Sequence, residues 1–188
     1  MKYYQLSFPK SGANWLRHIA RTLLGIKKEY LEIDIPDDIY IKTHQIPLPE
    51  YNIKDTNRSC ILLLRDFKEC TVRFDKHLLQ CLPMYAACLQ TYHDWPSPKL
   101  LIYYEDLLQN TTQEIDRLSY FLNTDSSIVH SQFNELKDES INKYNKEHGC
   151  QSNEQQHYHK YKIDIEQYNK KTKQYIPKNL LVYINRYF

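Results

Sequence analysis

The chain reads as an α/β protein with a mainly parallel central sheet flanked by helices, and three observations predict it. Short β-rich runs alternate with amphipathic helical ones, the order that a parallel sheet requires. The run Cys60-Ile-Leu-Leu-Leu64 is apolar throughout, as a strand covered on both faces should be. The 188 residues, 41% hydrophobic and 26% charged, have a globular balance, and that length suits one domain spanning residues 1–188.

Taken in order, Tyr3 to Phe8 reads as the first strand. Asn14 to Leu24 follows as a helix with Leu16, Ile19, Ala20 and Leu23 on one face and Gly25 as its stop. Ile39 to Lys42 is a second short strand, Cys60 to Leu64 a third, and Phe67 to Leu79 a helix. Leu100 to Tyr103 makes a fourth strand. After it Thr111-Thr-Gln-Glu114 has the form of a capping box opening the amphipathic run Ile115, Leu118, Tyr120, Phe121, Leu122. Asn134 to Lys173 is polar and rich in Lys, Asn and Gln, without a hydrophobic period, and residues 137–157 are expected to form a mobile loop. Leu180 to Ile184 closes the core as a helix or a strand.

Composition excludes several classes. A formal net charge of +2 announces no nucleic-acid or membrane partner, so any anion site must be local. No leader-like start and no apolar run of about 20 residues occurs, which predicts a soluble, cytoplasmic protein. Cys60, Cys70, Cys81, Cys88 and Cys150 are odd in number and form no Cys-x-x-Cys pair, so free thiols are expected and no metal site. The Asn57 and Asn110 glycosylation patterns are then chance.

The stretch Ser7-Phe-Pro-Lys-Ser-Gly-Ala-Asn-Trp15 joins the first strand to the first helix. Such a loop turns backbone N–H groups toward one point, where the helix dipole adds positive charge. Gly12 permits close approach, Lys10 adds a full charge, and Ser11 and Asn14 add side-chain hydrogen bonds. On its own the loop is either a phosphate cradle or an ordinary strand-to-helix turn. It is not a Walker loop, because Lys10 precedes Gly12 and no magnesium-binding hydroxyl follows.

Pro9 to Trp15 resembles the P-K-S-G-T-T-W loop of the sulfotransferases that use 3′-phosphoadenosine 5′-phosphosulfate (PAPS), departing at Ala13 and Asn14. Further segments resemble that family in its order: Lys42-Thr43-His44 its K-T-H, Leu64 to Arg73 its 3′-phosphate segment, Tyr103-Tyr-Glu-Asp-Leu107 its Y-E-D-L, and His130 to Leu136 its later adenine-lining segment. The resemblance implies the P-loop-like nucleotide fold of that family, with PAPS as donor and PAP as product.

It implies His44 as catalytic base, Lys10 at the leaving oxygen and Lys42 at the sulfonate. Lys10, Ser11, Gly12, Ala13 and Asn14 would grip the 5′ phosphosulfate and Arg65 the 3′-phosphate. Trp15, Tyr104, Ser131 and Phe133 would line the adenine pocket; for the aromatics the plain alternative is core packing. Arg73 replaces the family's serine and either joins the 3′-phosphate contact or points outward. The family's late R-K-G loop is missing; Ser152, Lys160 or Lys162 either stand in for it or belong to a surface loop.

The chain is shorter than the cytosolic enzymes, between Lys10 and Lys42 and between Arg73 and Tyr104, where those carry acceptor-binding segments. The acceptor expected is a hydroxyl or amine on a small molecule, glycan or peptide. Two other readings stand beside it: a non-catalytic PAP- or PAPS-binding protein, and a nucleotide kinase, which the missing Walker lysine disfavours.

Overall fold

A computed structural model describes residues 1–26, 39–44, 57–74, 78–96, 98–148 and 165–188. Its sheet has four parallel strands in the order β2-β1-β3-β4, with β1 at Tyr3–Ser7, β2 at Tyr40–Thr43, β3 at Ser59–Leu64 and β4 at Lys99–Tyr103. Strand side chains alternate between two cores, as the period of two demands. Tyr4, Leu6, Ile41, Leu62 and Leu64 face one core; Tyr3, Tyr40, Ile61, Leu63 and Ile102 face the other. Each fully buried aliphatic chain of β3 contributes about 1.5–3 kcal/mol.

Helix α1 (Ala13–Leu23) lays Leu16, Ile19, Ala20 and Leu23 on the second core. Joining it there are α4 (Tyr104–Gln109), α5 (Thr111–Leu122) and α6 (Ser127–His148). The first core is covered by α2 (Phe67–Phe74), α3 (Leu78–His93), α7 (Ile165–Tyr175) and a 3-10 helix at Lys178–Tyr183. A last 3-10 turn spans Asn185–Tyr187. β1 is followed by α1 on one face and β3 by α2 and α3 on the other. The C-terminal ends of these neighbouring strands therefore border the crevice where an open α/β sheet binds ligands.

Several expectations are corrected. The helix expected from Phe67 to Leu79 is two helices, and α3 carries Pro83 within it. Residues 137–148, expected to be loop, continue α6, which carries Val129, Phe133 and Leu136 inward at helical spacing. The polar stretch also holds α7, and Leu180 to Ile184 lies in 3-10 structure. The capping box does not form: Glu114 turns to Arg117 at 2.6 and 2.7 Å, and Asn110 precedes the helix without a side-chain cap. Residues 149–157, Cys150, Ser152, Lys160 and Lys162 lie outside the described residues. Cys60, Cys70, Cys81 and Cys88 are buried without a disulfide among the described residues. No helix among the described residues is long and apolar enough to cross a membrane.

Candidate active site

The loop after β1 begins with a tight turn. Ser11 N donates to the Phe8 carbonyl at 3.3 Å, with Pro9 second and Lys10 third in the turn. Lys10 takes φ +66°, the left-handed conformation usual for glycine at that place in a type II turn, at a cost of about 1–2 kcal/mol. Gly12 (φ +91°) then enters α1. A Cβ on Gly12 would lie 2.5 Å from two ring carbons of Tyr104, so the loop backbone rests directly on that ring. Ser11 is fully buried, and its Oγ has no hydrogen-bond partner among the described residues. The first turn of α1 holds no acidic residue. An orphaned hydroxyl beside an uncompensated helix N-terminus is receptive to an anion.

Beyond Gly12 stands a wall of rings and one guanidinium. Trp15 meets Tyr104 edge-on at 6.2 Å and Phe133 at 5.9 Å. Arg65, buried at the end of β3, stacks its guanidinium 4.2 Å from the centre of Tyr104 and pairs with Glu69 at 3.6 Å. Arg65, Tyr104, Trp15, Phe133 and the loop are thus brought together. Ser131 is not part of this cluster. It sits about 200° around α6 from Phe133, is exposed, and donates to the Ile128 carbonyl at 2.8 Å. Arg73 lies on α2 with its side chain outside the described set.

At the end of β2, His44 Nδ1 lies 2.7 Å from the Ser7 carbonyl and 3.2 Å from Ser7 Oγ. A carbonyl only accepts, so Nδ1 carries the proton and Nε2 the lone pair in the neutral ring. Lys42 Nζ donates to Asn14 Oδ1 at 3.2 Å. Beneath them buried Gln5 donates to the Ala13 carbonyl at 2.8 Å and accepts from Tyr40 Oη at 2.8 Å. Motif reading missed Ser7 and Gln5. Their roles depend on β1 and β2 being neighbours in a register pairing Leu6 with Thr43, which puts Ser7 next to His44.

Behind Arg65 the C-terminal segment latches onto the end of β4. Arg186 pairs with Asp106 through two 2.7 Å bonds, and Tyr187 Oη donates to Glu105 at 2.8 Å. Glu105 in turn accepts from Asp66 N at 3.3 Å, and Lys68 donates to the Tyr187 carbonyl at 2.9 Å. Hydrogen bonding to Arg186 holds the Asp106 carboxyl below its usual range, whereas burial raises that of Asp66, with Lys68 opposing. Burial pushes the Cys60 and Cys88 thiols up to about 12, so neither is a nucleophile at neutral pH. A shallow apolar groove of about 630 Å³ near Leu100 and Tyr120 lies toward the other end of β4, apart from these groups.

The family model of the sulfotransferase domain matches residues 64–188, about two thirds of the chain. The chain belongs to the sulfotransferase family. No curated protein matches it. The matched stretch of this sulfotransferase contains Arg65, Tyr104, Phe133 and the C-terminal latch, while the loop after β1, Lys42 and His44 precede it. The family moves sulfuryl groups, generally from PAPS.

Proposed function

We propose that this sulfotransferase transfers a sulfuryl group from PAPS to a hydroxyl or amine of a small-molecule, glycan or peptide acceptor, with His44 as general base and Lys10 and Lys42 as its cations. The observation that carries the reading is the 2.7 Å contact of His44 Nδ1 with the Ser7 carbonyl. It selects the tautomer whose Nε2 can take a proton, beside the loop built for an anion. After that proton arrives, the imidazolium keeps its Nδ1–H on Ser7.

PAPS, when bound, would supply the sulfuryl group and leave as PAP, which keeps the bridging oxygen on its 5′-phosphate. The residues present suit such a donor: Ser11 offers a buried hydroxyl without a partner among the described residues, α1 offers its N-terminal end, and Arg65 offers a guanidinium held over the Tyr104 ring. Trp15, Tyr104 and Phe133 supply aromatic surface for the adenine. Preorganised cations of the Lys10 and Lys42 kind commonly contribute a few kcal/mol each to lowering a barrier.

The test is calorimetric titration with PAP, free of magnesium, on the wild type and Lys10→Ala, followed by PAPS turnover against an acceptor panel. Micromolar binding lost in Lys10→Ala, and turnover abolished in His44→Ala with PAP affinity kept, is the expected pattern. Binding without turnover in any acceptor would favour the non-catalytic reading, and wild-type turnover in His44→Ala would assign the base elsewhere. Absence of PAP binding to the wild type would overturn the nucleotide site.

A further inference from the structure

We infer that Asn14 is a positioning residue for Lys42: its side-chain oxygen fixes the ammonium at the mouth of the loop, where the family pattern has a hydroxyl instead. The inference rests on the function proposed above for Lys42. The contact is chemically unambiguous in direction. A lysine ammonium only donates, so the atom of Asn14 that meets it at 3.2 Å is Oδ1, and the amide NH₂ lies on the other branch.

The surroundings give the contact a rigid base. Lys42 stands on β2 paired with Gln5 of β1, and alternate residues of a strand share a face, so Tyr40, Gln5 and Lys42 all rise on the side that α1 covers. Gln5 donates to the Ala13 carbonyl from below and is itself held by Tyr40 Oη, and Arg21 of α1 donates to the Tyr40 carbonyl at 2.7 Å. Asn14 follows Ala13 directly, so its Cα is anchored to the strand that carries Lys42. Each hydrogen bond on the ammonium narrows the rotamers of a flexible four-carbon stem, and order established before reaction removes that entropy from the barrier. Ala13 cannot contribute here, since it has no polar side-chain atom.

The test is a double-mutant cycle of Asn14→Ala and Lys42→Met, read in kcat with PAPS and in PAP affinity, beside NMR of the Lys42 side chain in the protein without nucleotide. Expected are a kcat about tenfold lower in Asn14→Ala, a PAP affinity that changes much less, and no added loss when Asn14→Ala is placed on Lys42→Met. By NMR, the Lys42 ammonium should be more restricted in the wild type than in Asn14→Ala. Equal Lys42 mobility in the two proteins, or losses that add in the double variant, would overturn the inference while leaving the sulfotransfer reading intact. Wild-type kcat in Lys42→Met would overturn both the inference and the catalytic role proposed for Lys42.

Discussion

At the end of β1, Lys10 holds a left-handed backbone and Ser11 buries a hydroxyl with no partner among the described residues; at the end of β4, Arg186 and Tyr187 close hydrogen bonds on Asp106 and Glu105. The two regions lie at the same edge of the same sheet and meet through Tyr104, which follows β4 and supports Gly12. One keeps strain and an unmet hydrogen bond where an anion would relieve them. The other satisfies its polar groups internally and holds the platform still. The difference separates residues that a ligand completes from residues that the fold completes.

The largest effect should come from Gly12→Ala, which forces a Cβ into the Tyr104 ring at a positive φ. We expect a loss of roughly 2–5 kcal/mol in chemical denaturation and PAP binding below detection. Retained binding would break the claim that the loop rests on Tyr104. Tyr187→Phe strips the donor from Glu105 and should cost about 1–2 kcal/mol while PAP affinity stays within about twofold. A fall in affinity like that of Gly12→Ala would make the latch part of the site.

Lys10→Gly separates strain from charge. Relief of the φ +66° backbone should raise stability by about 1 kcal/mol even as PAP affinity drops about tenfold. A less stable variant would show that the turn is not strained. The smallest effect is the pH dependence of the Arg186–Asp106 pair, which is partly exposed. Asp106 has its pKa lowered in the folded state, so its contribution is complete above the ordinary value of about 3.9 and fades as pH falls through the lowered one. Arg186→Ala should therefore be less stable than wild type at neutral pH and converge on it below that range; a constant gap would mean that the ion pair is not its source.

Strands β1 and β3 were legible because their apolar runs are short, dense and bounded by polar turns. Helix α3 was hidden by Pro83, a residue that usually stops a helix, and by the close spacing of α2 and α3. In α6 the inward Val129, Phe133 and Leu136 are followed by the mostly polar run Lys137 to His148, too few apolar positions to reveal 22 residues of helix. Motif order foretold which residues gather at the end of β1, since Lys10, Ser11, Gly12 and Trp15 belong to one short segment. It did not foretell that Ser131 turns away from Phe133, which follows from helical rotation. The latch was illegible for a different reason: Arg186 and Asp106 are 80 residues apart, and nothing local in either announces the other.

The placement of the two tryptophans has an optical consequence. Trp95 lies in the core under α3 with its indole N–H on the Arg58 carbonyl at 2.8 Å, whereas Trp15 sits across the sheet among Tyr104 and Phe133. In Trp95→Phe the remaining tryptophan emission would come from beside the loop after β1 alone, and in Trp15→Phe from the opposite core alone. The molecule thus carries two tryptophans, on opposite faces of the sheet, whose emission can be read as separate signals.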